Sequence, residues 1–346
     1  MATEDVDEAG LKIRGHVKTD GHVKTIGGHL KTARFHVEAT LVRVVSAGVA
    51  LLPMAAVRRC GHGLGRVMFW VDGFHRRIAL ENLAHAFPSR PAAERRALAK
   101  AMFAHFGALL FELLKFGSLS REEMAGLIEV EGMDRVANAH KQGRGVFFVT
   151  GHFGYWEMQA IAHPFHAPTI AVLARPLDNP LLHALLERLR TMTGNRVAYR
   201  QGALRRVLRE LAANNGVAML IDQHLHTSEA VYVDYFGRPA ATTSALAALA
   251  LRTGAVVIPV FALPLPGGRY RFIYEHPVEP PPADAADPVV EYTQRCTDVL
   301  EMYVRRHPEL WLWMHRRWRE REPALAGDEP RLDEVNDEAG RGHDDV

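Results

Sequence analysis

From about residue 127 onward, short apolar runs of strand length alternate with longer segments of helical spacing. The runs cover 146–150, 169–173, 217–221 and 256–260; the helical segments cover 153–162, 180–193, 203–214 and 242–253. Such alternation predicts an α/β fold, a mixed central sheet flanked by helices. A strand over 269–275 extends it and a helix over 288–306 closes it. Upstream, 76–87 and 92–116 carry apolar residues at three- and four-residue spacing and read as helices, separated by Pro88 and Pro91.

The run 146–150 leads into Gly151-His152-Phe153-Gly154-Tyr155-Trp156-Glu157. A histidine at a strand end lies where α/β sheets bind ligands. A neutral imidazole there accepts a proton from a hydroxyl, and the carboxylate of Glu157, five residues on, is expected to hold the ring and stabilise its charged form. A second ionisable group, Asp222, ends the run 217–221. Its bland reading is a turn cap; a sharper one takes Asp222, His224 and His226 as metal ligands of a hydrolase. Arg175, in the rigid turn Arg175-Pro176-Leu177-Asp178-Asn179-Pro180, points to phosphate binding, as does Arg190 one helix later; surface salt bridges are the ordinary alternative.

Four domains are expected. Residues 1–35 hold an imperfect polar repeat, Gly15-His16-Val17-Lys18-Thr19 and its copies, and read as a disordered extension. Residues 36–120 form a helical, membrane-associating region, 121–320 the α/β core, and 321–346 a disordered acidic tail. No stretch reads as long enough to span a membrane. The apolar segment 40–57, flanked by Arg43, Arg58 and Arg59, is short and contains Pro53; it suits a helix lying in a membrane surface or packed on the core. Net charge is +2, which gives no support to a nucleic-acid partner, and two cysteines exclude a disulfide framework. Basic clusters at Arg205, Arg206 and Arg209, and at Arg316, Arg317 and Arg319, suit an anionic surface or solvated helix faces. There is no G-x-S-x-G elbow and no Walker A loop, and Gly61-His62-Gly63-Leu64-Gly65 lacks both dinucleotide-binding spacing and a preceding strand.

Taken in order, several stretches resemble the bacterial lipid A biosynthesis (lauroyl- and myristoyl-type late) acyltransferases, within the lysophospholipid and glycerolipid acyltransferases. They are Arg77-Ile78-Ala79-Leu80-Glu81-Asn82-Leu83 with Ala86-Phe87-Pro88, the H-x4-E from His152 to Glu157, and the turn 175–180. Then come Asp222-Gln223, Phe236-Gly237-Arg238-Pro239-Ala240-Ala241-Thr242-Thr243, 254–260 and Trp311-Leu312-Trp313-Met314-His315-Arg316-Arg317-Trp318. The resemblance covers roughly 40–320. It implies transfer of a fatty acyl group from an acyl carrier protein or coenzyme A thioester to a lipid hydroxyl, with His152 as general base, Glu157 supporting it, Arg190 and Asp222 also functional, and no metal or other cofactor. It implies a peripheral or monotopic enzyme on the cytoplasmic face of the cell inner membrane. On this reading, backbone N–H groups of Phe153 and Gly154 stabilise the oxyanion, and 40–120 help form the acyl channel. The rivals are the metal-dependent hydrolase and a catalytically silent membrane-binding protein.

Overall fold

The computed structural model describes residues 20–199, 202–225 and 230–319. Four long helices come first: α1 (Asp20–Ala50), α2 (Met54–Val71), α3 (Gly73–Ala86) and α4 (Ala92–Phe116). Pro53 separates α1 from α2 because it has no N–H to continue the ladder, so 40–57 is two helix ends rather than one helix. Helix α1 begins at Asp20, inside the stretch 1–35 expected to be a disordered extension. No proline interrupts Asp20–Ala50, and a helix anchored by buried Ala39 and Val49 propagates at little further cost. Residues 1–19 and 320–346 lie outside the described residues.

The α2–α4 contact explains glycines whose spacing excluded a nucleotide loop. A Cβ on Gly65 would lie 2.0 Å from the Phe103 carbonyl oxygen, and one on Gly107 2.3 Å from that of Gly61. The two helices therefore touch backbone to backbone, and only glycine fits. Helix α4 is long and apolar enough to cross a membrane, contrary to the sequence expectation, but half of its most apolar window is buried in the protein, as in a core helix.

The remaining elements are α5 (Arg121–Gly126), β1 (Ile128–Glu131), α6 (Met133–Lys141), β2 (Val146–Thr150), α7 (Trp156–Ala162), β3 (Ile170–Ala174), α8 (Pro180–Thr191), β4 (Arg196–Tyr199), α9 (Ala203–Ala212), β5 (Gly216–Leu220), β6 (Ala230–Asp234), β7 (Pro239–Thr243), α10 (Ala245–Thr253), β8 (Val256–Leu265), β9 (Arg269–Tyr274) and α11 (Pro288–Arg306). The main sheet runs β1-β9-β8-β2-β5-β3-β4, with β8 and β9 antiparallel and the other neighbours parallel. It is a mixed sheet covered on both faces. Phe147 and Val149 point into a cluster with Val207, Leu246 and Leu300 of α9, α10 and α11, while Val146 and Phe148 pack with Val136 of α6. The predicted helix over 242–253 starts late because 239–243 pair with 230–234 as a hairpin. Its turn places Phe236 and Gly237 at positive φ, 58° and 75°.

Sheet order positions the site. In β2 and β5, Thr150 pairs with Leu220, so the residues that follow, Gly151-His152 and Asp222, leave the same edge side by side. Arg175 leaves the end of β3 on that edge.

Candidate active site

His152 is held twice by Asp222, which Trp311 holds in turn. Its backbone N–H donates to Asp222 Oδ2 at 2.6 Å, and its Nδ1 lies 2.8 Å from Asp222 Oδ1. The Trp311 indole Nε1–H donates to Asp222 Oδ2 at 2.8 Å. Asp222 is fully buried, so burial alone pushes its carboxyl up; the adjacent His152 charge and its hydrogen bonds reverse this and hold it well below the usual carboxylate range. An ionised Asp222 requires a proton on Nδ1, which leaves Nε2 as the acceptor. Burial lowers the His152 pKa, but the Asp222 charge and hydrogen bond outweigh it, and the imidazole is raised above its ordinary value. These are the parts of a general base: a fixed tautomer, a buried anion behind the ring and an acceptor nitrogen facing the cavity.

Gly151 makes this contact possible, since a Cβ there would lie 2.8 Å from Asp222 Oδ2. The next residues are clamped by distant elements. Gly154 N–H donates to Leu310 O at 2.9 Å, Leu312 N–H to His152 O at 3.0 Å, and Tyr155 N–H to Ala262 O at 3.0 Å. From α4, buried His105 meets the Gly154 carbonyl at 3.2 Å, and buried Glu112 accepts from the Tyr155 hydroxyl at 3.0 Å.

Two sequence expectations change here. Glu157 does not hold the His152 ring; both its oxygens accept from Arg190, Oε2 from Nε at 2.8 Å and Oε1 from Nη2. Five residues on, the chain has entered α7 and Glu157 faces α8, whereas Asp222 arrives beside the imidazole from the adjacent strand. The Phe153 and Gly154 N–H groups are not free for an oxyanion: Phe153 N–H is committed to Gly151 O at 2.7 Å, Gly154 N–H to Leu310 O, and the Phe153 side chain is core.

A cavity of about 680 Å³ opens in front of His152. His152, Trp156, Glu157, Arg175, Arg190 and Gln223 line it, with apolar walls from Val172, Leu173, Ala218, Met219 and Val260. It thus gathers Arg175, which is 87% exposed and 3.5 Å from Asp178, with the buried-side pair Glu157–Arg190. Residues 40–120 do not line this cavity; those of α2 and α4 line a second groove of about 450 Å³, with Leu312, Met314 and His315. His315 sits between groove and base, its ring 5.2 Å from that of His152, and burial lowers it to about 4, so it is neutral.

Among the described residues, the potential metal ligands that converge in a group of three are His152, Asp222 and His315. His224 is not in that group, and His226 lies outside the described residues. Two basic residues expected at a surface are internal: Arg58 donates to Glu112 at 2.8 and 2.7 Å, and Arg317 to the Ala241 carbonyl and the Thr242 hydroxyl at 2.6 Å. Sequence reasoning assigned no role to Trp311, Gln223 or His315; the signal was their place in the stretches Asp222-Gln223 and 311–318.

Comparison with known proteins bears on this geometry. The family model described as Bacterial lipid A biosynthesis acyltransferase matches residues 29–320. The Lipid A biosynthesis lauroyltransferase of Escherichia coli (strain K12) is 28% identical over 275 residues, covering 79% of this chain and 88% of the relative. The Lipid A biosynthesis palmitoleoyltransferase of the same organism is 27% identical over 246 residues, 70% of this chain and 78% of the relative. The Phosphatidylinositol mannoside acyltransferase of Mycobacterium tuberculosis (strain ATCC 25618 / H37Rv) is 26% identical over 243 residues, 69% and 75% respectively.

Proposed function

This chain belongs to the bacterial lipid A biosynthesis acyltransferase family, and from that premise we propose that it moves a fatty acyl group from an acyl carrier protein or coenzyme A thioester to a hydroxyl of a lipid A precursor or a related glycolipid or lysophospholipid. The acceptor hydroxyl gives its proton to His152 Nε2 as its oxygen attacks the thioester carbonyl. Asp222 stabilises the imidazolium that forms. The tetrahedral intermediate collapses, the C–S bond breaks, and the departing sulfur takes the proton from Nε2. The cavity, within the usual range for ligand sites, holds the acyl chain on its apolar walls. Arg175, which lines the cavity, would take a phosphate of the donor or acceptor, and the Glu157–Arg190 pair lines the same cavity.

The observation that supports this reading best is the His152–Asp222 pair at the mouth of an apolar cavity in a chain with this family match. The test incubates purified protein with an acyl thioester and candidate glycolipids and follows thiol release and lipid mass. A product heavier by one acyl group, reduced roughly 10²–10⁴-fold by His152→Ala, is expected. A His152→Ala protein that retains near-normal transfer sinks the mechanism.

Membrane attachment is assigned to α2 and the start of α3. Trp70, Val71 and Phe74 are 60%, 71% and 54% exposed, and Arg59 and Arg66 are exposed on helix α2. The double substitution Trp70→Ser with Phe74→Ser is expected to weaken partition to phosphatidylglycerol vesicles; unchanged partition overturns the assignment. Deleting residues 1–60 is a poorer test, because it strips Arg58 from buried Glu112.

A further inference from the structure

The proposed transfer puts negative charge on the thioester oxygen, and the backbone donors next to His152 are already engaged. His152 N–H is bonded to Asp222, Phe153 N–H to Gly151, Gly154 N–H to Leu310 and Tyr155 N–H to Ala262. The oxyanion needs a hydrogen-bond donor aimed at it, and with these backbone groups engaged a side chain in the cavity wall is the next place to look. Gln223 is the candidate. It follows Asp222 directly, is exposed, lines the cavity and places its amide Nε2 3.4 Å from His152 Nε2. Among the described residues it is the hydrogen-bonding neighbour of that nitrogen.

The tautomer defines the contact. With the proton on Nδ1, His152 Nε2 has only a lone pair, so the Gln223 carboxamide faces it as donor. At 3.4 Å the bond is long, and an entering hydroxyl displaces it readily. The amide then keeps two N–H donors beside the point of attack, tethered to the strand end that carries Asp222. Of the other donors in the wall, Arg175 is exposed beside Asp178 and has no hydrogen bond to His152 among the described residues. Arg190 spends Nε and Nη2 on Glu157, and the Trp156 ring centroid is 5.3 Å from that of His152.

We propose that the Gln223 carboxamide is a catalytic group that leaves the base when substrate enters and donates to the thioester oxygen as it becomes an oxyanion. The inference rests on the acyltransferase reading. In the step, the acceptor O–H proton passes to His152 Nε2, the O–C bond forms, and the carbonyl π pair moves onto the oxygen that Gln223 holds. Return of that pair breaks the C–S bond, and the imidazolium proton goes to sulfur.

The test compares unaltered protein with Gln223→Ala, Gln223→Glu and Trp156→Phe, using the thioester and lipid pair that the unaltered protein turns over. Gln223→Ala is expected to lower kcat about 10²-fold with KM changed less than about threefold, the signature of a contact made only in the transition state. Gln223→Glu keeps the size but loses the donor when ionised; it is expected to lower kcat similarly and to move the acid limb of the pH–rate profile upward, because a second anion then faces His152. A Gln223→Ala protein as fast as the unaltered one or faster shows that the amide merely rests on the base and overturns the proposal. So does a Gln223→Glu protein with normal kcat, or loss confined to Trp156→Phe. If the unaltered protein transfers no acyl group, the functional reading itself fails; if it is active and only the Gln223 variants behave normally, this inference alone fails.

Discussion

Replacing Asp222 by Asn tests the base assembly most directly, because it keeps the shape and removes the charge. Asp222 now accepts three N–H groups: the His152 backbone and Trp311 on Oδ2, and His152 Nδ1 on Oδ1. An Asn side chain has one acceptor oxygen. If that oxygen stays with the two fixed donors, its NH₂ faces Nδ1, which must then become the acceptor. The proton moves to Nε2, and the nitrogen facing substrate can no longer take one. The imidazolium also loses its partner charge, on the order of 4 kcal/mol for charges about 4 Å apart at an effective dielectric near 20. At about 1.4 kcal/mol per decade this is roughly 10³-fold in rate. Asp222→Asn is therefore expected to lower kcat by about 10³–10⁴-fold with little change in KM. The assay is thiol release from the thioester, followed from pH 5 to 9. In the unaltered protein the acid limb lies above 6.5, since Asp222 raises His152; in Asp222→Asn any residual activity has its limb moved down, because burial without the anion lowers the pKa. A loss smaller than about tenfold, or an acid limb that stays in place, refutes the argument.

Removing Arg58 leaves Glu112, 0% exposed, as an uncompensated buried charge, so Arg58→Ala is expected to cost about 3–5 kcal/mol in urea unfolding, and adding Glu112→Gln to recover part of it. Three histidines stay neutral in the fold: burial lowers buried His105 to about 4 and buried His163 to about 3, and lowers half-buried His315 to about 4, from an ordinary value of 6.5. The unfolded chain takes protons first as pH falls below 6.5, so stability drops from there toward 4, by about 1.4 kcal/mol per pH unit for each group; an unfolding midpoint equal at pH 7 and pH 5 would contradict this. His224→Ala and His226→Ala are expected to retain activity where Asp222→Asn does not, and comparable losses in all three, together with loss of metal bound to the purified protein, would favour the hydrolase instead.

The secondary structure was legible wherever local spacing decides it. The expected helices over 92–116 and 288–306 and the strand over 146–150 appear with those bounds. The hairpin over 230–243 escaped because Thr242 and Thr243 read locally as the start of a helix, and only pairing with the partner strand makes them extended. The break at Pro53 was visible as a residue, but the backbone contact of α2 with α4 that follows it depended on Gly61, Gly65 and Gly107 meeting across the two helices.

The chemistry divides the same way. By itself the sequence determined that a histidine would stand at a strand end, that Asp222 would stand at another, and that arginines would follow, because each is a local consequence of where an apolar run stops. Which carboxylate serves His152 was a tertiary decision. Glu157 is five residues away and turns toward Arg190; Asp222 is 70 residues away and within 2.8 Å. Sequence separation says nothing about that choice, because β5 is inserted beside β2 by the strand order of the sheet, and hydrogen bonding between strands, not distance along the chain, sets which residues leave the edge together.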